Sequence, residues 1–233
     1  AQGEYDKAKQ ILKRALAIYE MTLGPDHPLV AQCLNNLATL CWNQGAYGTA
    51  EQLSKRALAI NEKELGPDHL EIATSLNNLA SIYWAQGAYR KVETLWKRAL
   101  AIYDMTLAPD HPLVATSLNN LARLYYDQGV YGKAGPLYKR ALAIKEKAFG
   151  SDHPSLVKGL NNLALVHHAQ GTYDKAESLY ERALAIGEKT LGPDHPSVAT
   201  ILIDLALLYK DQGAYGKAEP LYERALTIYQ KAL

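Results

Sequence analysis

Cysteine is almost absent: Cys33 and Cys41 are the only two among 233 residues, eight positions apart on one predicted helix. Eight positions are about 12 Å of helical rise, too far for a disulfide between them. Two thiols without a bridge fit a reducing compartment, and the expected location is cytoplasmic. Net charge is nearly absent too, with 25 Lys and Arg against 24 Asp and Glu. No large positive field is therefore available to draw in nucleic acid or anionic lipid. Apolar runs are only a few residues long, far short of the ~20 that a membrane span needs. The opening residues, Ala1-Gln2-Gly3-Glu4-Tyr5, place no basic segment ahead of an apolar one and do not read as a signal peptide. Nucleic acid and membrane are thus not expected as partners. Nothing resembles a nucleophile triad or a phosphate-binding glycine loop. The expectation is a chain that is not an enzyme and needs no cofactor or metal.

What the chain has in abundance is repetition. Gln-Gly falls at Gln2-Gly3, Gln44-Gly45, Gln86-Gly87, Gln128-Gly129, Gln170-Gly171 and Gln212-Gly213, each 42 residues after the last. A strict period in this range marks a solenoid, in which each unit buries its apolar face only against its neighbours. The reading is one array over 1–233. Residues 1–24 are a second helix lacking its partner, and 25–66, 67–108, 109–150, 151–192 and 193–233 are five helix-turn-helix repeats. No polar capping helix closes the array at Leu233, so the chain looks like a segment of a longer array.

Within the unit from Pro28 to Leu65, Pro28 suits the first turn of a helix, with Asp26 or His27 as cap candidates. Leu34, Leu37, Ala38 and Cys41 then make one apolar stripe at three- and four-residue steps. Gln44-Gly45 ends this helix, because glycine takes the left-handed conformation freely. Ala50, Leu53, Ala57, Leu58 and Ile60 continue to Leu65 as a second helix, closed by Gly66-Pro67. Small residues such as Ala38 and Ala50 let the paired helices approach closely.

Each unit carries variants of Leu-Gly-Pro-Asp-His-Pro (Leu23 to Pro28), Leu-Asn-Asn-Leu-Ala (Leu34 to Ala38) and Lys-Arg-Ala-Leu-Ala-Ile (Lys55 to Ile60). With Tyr47, Ala50 and Ala57 at tetratricopeptide spacing, this resembles the tetratricopeptide domain of kinesin light chains and similar bacterial arrays. The family consensus unit has about 34 residues, so here the second helix and its loop are longer. The resemblance implies an all-α fold: a right-handed superhelical solenoid of antiparallel helix pairs. It also implies a groove, lined by the first helix of each pair, that binds peptide or protein segments. No heptad run for motor attachment is present.

Residues spaced by 42 form columns along that groove. One holds Asn35, Asn77, Asn119, Asn161 and Ile203; the next holds Asn36, Asn78, Asn120, Asn162 and Asp204. Asparagine inside a helix costs about half a kcal/mol against alanine, so something offsets it. Either the amides pair an extended peptide backbone, or a column serves hydrogen bonds between helices. A third column, Trp42, Trp84, Tyr126, His168 and Lys210, either anchors a ligand or packs within the repeat, and packing is the commoner use of such rings. The variable column Thr39, Ser81, Arg123, Leu165 and Leu207 is where selectivity would be written. The charges along these columns and beside them cancel, with Arg123, Lys158 and Lys210 against Asp127, Asp204 and Asp211.

Three further features recur. The loop histidines His27, His69, His111, His153 and His195 stand about a repeat apart, too far to share one metal, and read as caps. The arginines Arg14, Arg56, Arg98, Arg140, Arg182 and Arg224 have no acid three or four residues away. They are expected to bridge to the loop aspartates Asp26, Asp68, Asp110, Asp152 and Asp194, or else to form a basic stripe for acidic peptides. Ile11, Ala15 and Leu16, with Leu221, Ala225 and Leu226, should stand partly open and favour self-association. A structural or oligomerisation segment, or the sensor arm of a larger signalling protein, are the alternative functions.

Overall fold

The computed structural model describes the backbone of residues 2–232 and the side chains of residues 5–231. The described chain is a run of helices: α1 (Gln2–Leu23), α2 (Pro28–Asn43), α3 (Tyr47–Leu65), α4 (Leu70–Ala85), α5 (Tyr89–Thr106), α6 (Pro112–Asp127), α7 (Tyr131–Phe149), α8 (Val157–Ala169), α9 (Tyr173–Leu191), α10 (Pro196–Asp211) and α11 (Tyr215–Ala232). A short 3₁₀ turn, Pro154–Leu156, leads into α8. Among the described residues no helix is long and apolar enough to cross a membrane.

The first helix of each repeat has boundaries with a chemical cause. The first helices start at a histidine whose Nδ1 accepts a backbone N–H two residues on: Leu29 for His27 at 3.2 Å, Glu71 for His69 at 3.2 Å and Leu113 for His111 at 3.1 Å. His153 and His195 do the same for Ser155 and Ser197. The loop histidines are therefore caps. They satisfy donors that helix geometry leaves orphaned. The same helices end at the Gln-Gly step, where Gly45 has φ +74° and its equivalents lie near the same value. Gln2-Gly3 differs, because its backbone already belongs to α1.

After the second helix, Gly24, Gly66, Gly150 and Gly192 take φ between +82° and +95°. Ala108 stands where these have glycine. An L side chain disfavours that conformation by about 1–2 kcal/mol. The chain avoids it: α5 stops at Thr106 and Leu107 is extended, with φ −115°. Here the chain divides into two compact units, Ala1–Ala108 and Pro109–Leu233.

Within each unit successive helices pack on one another, and first helices of neighbouring repeats also meet, α2 with α4 and α8 with α10. In the first unit Val30, Ala31, Leu34, Ala57 and Ile60 form one apolar cluster and Ala38, Cys41, Ala50 and Ile82 another. In the second unit Val198, Ala199, Leu202, Ala225 and Ile228 do the same. Alanine faces alanine at these crossings, which lets the helices approach closely. Cys33 and Cys41 are buried free thiols. Ile11 and Leu226 stand open, at 64% and 58% exposure, but Ala225 is buried beneath Ala199 and Ile228 and does not belong to the open stripe.

Four of the arginines form their ion pairs with glutamates and not with the loop aspartates, and this corrects the sequence-based expectation. Arg56 pairs with Glu20 at 2.6 Å, Arg98 with Glu62 at 2.5 Å, Arg182 with Glu146 at 2.7 Å and Arg224 with Glu188 at 2.6 Å. Each glutamate lies on the preceding second helix. Four of the five loop aspartates pair with lysines: Asp26 with Lys63, Asp110 with Lys147 at 2.5 Å, Asp152 with Lys189 and Asp194 with Lys231, both at 2.8 Å. Antiparallel pairing returns the last turn of a second helix beside the loop that opened its repeat. The lysine sits in that turn, whereas the arginine is two turns too early.

Candidate functional site

The two asparagine columns occupy different environments. Asn35 is buried and its Nδ2 donates to Ser75 Oγ on α4 at 3.0 Å. Asn77 Nδ2 donates to the Tyr103 hydroxyl on α5 at 3.1 Å, and Asn161 Nδ2 to Asp204 Oδ2 on α10 at 2.8 Å. Asn119 Nδ2 turns back to the Ala115 carbonyl of its own helix at 3.0 Å. Ile203, the fifth member, is half-buried. This column spends its amide donors inside the protein. The Oδ1 atoms of Asn35, Asn119 and Asn161 are buried without a hydrogen-bond partner.

The second column lies one position on, about 100° around the helix. Asn36 is exposed, and Asn78, Asn120, Asn162 and Asp204 are half-exposed on the first-helix face. Burial raises the Asp204 carboxyl above its usual range, and the Asn161 bond works against that rise.

Two clefts open on this face. In the first unit a cleft of about 190 Å³ lies between α2 and α4, lined by Thr39, Trp42, Asn78, Ser81 and Ile82, with Ser54 of α3 beneath them. In the second unit a cleft of about 300 Å³ brings Lys158, Asn161 and Asn162 of α8 beside Ser197 and Thr200 of α10. Lys158 is exposed there.

The aromatic column mostly packs. Trp84 meets Tyr89 edge-on at 5.3 Å and Trp96 at 5.5 Å, Tyr126 meets Tyr131 at 5.5 Å, and His168 meets Tyr173 at 5.9 Å. Trp42 is 39% exposed and belongs to the first cleft, while Lys210 is exposed. Two pairs of ionisable groups on the face meet locally. Arg123 Nε donates to Asp127 at 2.9 Å, and His168 Nε2 lies 2.8 Å from Asp211 Oδ2. Among the described residues no three His, Cys, Asp or Glu side chains gather as metal ligands would.

Sequence reasoning passed over Ser54. Its column reads Leu12, Ser54, Trp96, Tyr138, Tyr180 and Tyr222. The signal was the odd small residue among aromatic rings at a spacing of 42.

The tetratricopeptide repeat model matches residues 1–63, 41–104, 71–147, 114–186 and 155–231. Among solved structures, the nearly identical tetratricopeptide-like repeats of a kinesin light chain protein from Podospora anserina share 31% identity. That match covers 88% of this chain and 98% of that one, with a TM-score of 0.77. BtubC from P. vanneervenii, at 24% identity, covers 99% of this chain and 91% of its own, with a TM-score of 0.83. Aspartyl phosphate phosphatase F from Bacillus subtilis, at 17% identity, matches 98% of this chain and 68% of its own, with a TM-score of 0.68. The last two likenesses are of fold alone. No curated protein matches the sequence.

Proposed function

The chain belongs to the tetratricopeptide-repeat family, with repeats of the kinesin light chain kind, and from that premise we propose that it holds extended segments of partner proteins on its first-helix faces. Repeats of this family generally mediate protein–protein interactions. One observation carries the reading to residues. The Asn36 column costs helix stability, is exposed at Asn36 and partly open at its other positions, and includes Asn78 and Asn162 at the two clefts. An outward amide ladder offers both donor and acceptor to an extended backbone of any sequence. Ligand contacts are assigned to Asn36, Asn78, Asn120, Asn162 and Asp204, with Trp42 and Lys158 as neighbours. The local pairing of Arg123, Asp127, His168 and Asp211 favours peptides without strong charge of either sign. The activity is binding without catalysis or cofactor, and two unbridged buried thiols suit the cytoplasm.

Paired substitutions in the first unit test this. Asn36/Asn78→Ala should keep or slightly raise thermal stability and lose binding to a library of extended peptides. Asn35/Asn77→Ala should unfold at lower temperature and bind the same peptides when folded. Equal peptide binding by wild type and Asn36/Asn78→Ala would remove the ladder from the site.

A second reading is self-association, favoured by the exposure of Ile11, Ile18 and Met21 on α1 and Leu226 on α11.

A further inference from the structure

We propose that a groove on the second-helix face of the second unit, lined by α7, α8 and α9, binds a glutamate side chain of a partner protein. Its carboxylate takes the place that a glutamate of the chain itself fills in other repeats. This face is separate from the first-helix face, and the proposal stands independently of the peptide reading given there.

The repeats show what the place is built to hold. In the first unit the Glu51 carboxylate accepts from Lys55 Nζ at 2.7 Å, the Tyr83 hydroxyl at 3.1 Å and Gln86 Nε2 at 3.1 Å. Lys55, then Gln86 and Tyr83, hold the Glu51 carboxyl below its usual range. Lys91 lies over the Tyr83 ring, 4.7 Å from its centre. In the second unit the Tyr209 hydroxyl donates to Glu177 at 2.6 Å, and Lys217 lies over that ring at 4.8 Å.

Gly135 stands where the other second helices have Glu51, Glu93, Glu177 and Glu219, and His167 where the other first helices have Tyr83, Tyr125 and Tyr209. Both members of the pair change in the same place, yet the other donors stay. Lys139 corresponds to Lys55, Gln170 to Gln86 and Lys175 to Lys91. Packing does not demand the glycine, because an added Cβ would meet only Val166 Cγ1 at 3.5 Å. Pro136 does not demand it either, since Glu219 precedes Pro220 inside α11. Lys9 and Cys41 also depart from the pattern, but Lys9 bonds Gln44 at 3.3 Å and fills the place itself.

The resulting groove of about 1060 Å³ brings Gly135, Lys139, His167, Gln170 and Lys175 together beside Leu142, Leu163 and Leu179. Lys139 and Lys175 are exposed and, among the described residues, neither has an ion pair. Of the acids in the groove, Glu146 is taken by Arg182 at 2.7 Å and Asp174 pairs with neither lysine. Two uncompensated cations beside an apolar wall suit a carboxylate carried between apolar side chains. His167 is set to respond to it. The Thr172 hydroxyl donates to the His167 carbonyl at 3.0 Å, so Nδ1, 2.9 Å from the same oxygen, is the donor there and Nε2 is left to gain a proton. Burial, then Lys175 and Lys139, keep the ring below the usual histidine range. A carboxylate opposes both lysines and raises it.

NMR titration of the His167 ring in the 233-residue chain reads the site. Propionate, the glutamate side-chain analogue, should raise the His167 midpoint by about half a unit or more over sodium chloride of equal ionic strength. Gly135→Glu should raise it without any addition and abolish the response to propionate. Lys139→Gln with Lys175→Gln changes only exposed side chains and should abolish the response even if Gly135→Glu folds poorly. N-acetyl-Leu-Glu-Leu-amide should bind the wild type about ten-fold or more tightly than its Leu-Gln-Leu counterpart. A midpoint that propionate moves no more than chloride does would overturn the proposal, as would equal binding of the two peptides. So would a response that survives in Gly135→Glu or in the lysine double variant. Asn36/Asn78→Ala lies in the other unit and should leave all these readings unchanged, so the two faces stand or fail separately.

Discussion

Asn161→Ala should destabilise the second unit by about 1–2 kcal/mol at neutral pH, and by less in acid. Asn161 Nδ2 donates to Asp204 Oδ2 at 2.8 Å, a bond from a neutral amide to a carboxylate. Hydrogen bonds to charged groups contribute about 1.5–3 kcal/mol, and alanine returns roughly 0.6 kcal/mol of helix propensity. The pH dependence follows from the direction of the Asp204 shift. Burial raises its carboxyl, so the native state favours the neutral acid. Stability from that preference is full below the unfolded value of about 3.9 and is lost as pH rises through the raised native value. Asn161 is the group that limits the loss by bonding the ionised form. Removing it raises the carboxyl further and deepens the decline, so the gap between wild type and variant should widen from pH 4 to pH 7. Urea unfolding at both pH values measures it, and Asp204→Asn should flatten the wild-type dependence. A gap that is equal at pH 4 and pH 7, or no loss at neutral pH, would refute the assignment of Asn161 to the carboxylate.

The remaining expectations are simpler. His69→Ala should cost about 1 kcal/mol in urea unfolding and His69→Asn should cost much less, because asparagine restores the acceptor that bonds Glu71 N–H. Gly135→Ala should stabilise by less than about 1 kcal/mol, since an added Cβ meets Val166 Cγ1 at an ordinary 3.5 Å but the following Pro136 disfavours helical backbone at a residue that carries a Cβ. Glu62→Gln should change stability by less than about 1 kcal/mol, because the Arg98 pair it breaks is a surface one. Ile11/Ile18→Lys should lower the mean mass seen in a light-scattering concentration series, and a wild type that is monomeric at high micromolar concentration would reject the self-association reading.

Elements whose cause is local could be read from the chain. The Gln-Gly stops, the proline starts and the histidine caps each depend on two or three adjacent residues, and they stand where spacing puts them. Contacts between repeats could not be read this way. Whether Arg56 meets Asp26 or Glu20 depends on how far one helix is offset against the next, a quantity the period of 42 does not contain. The asparagine columns show the same limit on a smaller scale. Asn35 and Asn36 differ by one position, and only the packing direction of α2 decides which one is buried against Ser75. Ser54 was legible as an exception within its column, but its meaning needed the knowledge that the column points under the first-helix face.

Each repeat serves as a control for the others, and the departures from uniformity fall into two kinds. Some change the backbone, as Ala108 does by refusing the left-handed turn that Gly66 and Gly150 take. Others change a cavity, and these are coordinated. A small floor alone would leave Ser54 beneath a closed rim, and a small rim alone would expose the ring of a tyrosine. In the first unit both changes occur together, with Ser54 below and Thr39 and Ser81 beside it. In the second unit the rings of Tyr138 and Tyr180 are buried where Leu165 and Leu207 hold the rim position. Loss of one ring for no purpose would leave an unfilled apolar void, and core truncations of this kind cost several kcal/mol. Ser54 is fully buried, so its neighbours close over it, and what remains at the surface is the small cleft beside Thr39, Trp42 and Ser81. Ser54→Ala should therefore be neutral or stabilising in urea unfolding, because it removes a buried hydroxyl that has no hydrogen-bond partner, whereas Ser54→Tyr should destabilise by about 1–3 kcal/mol because the closed site has no room for a ring.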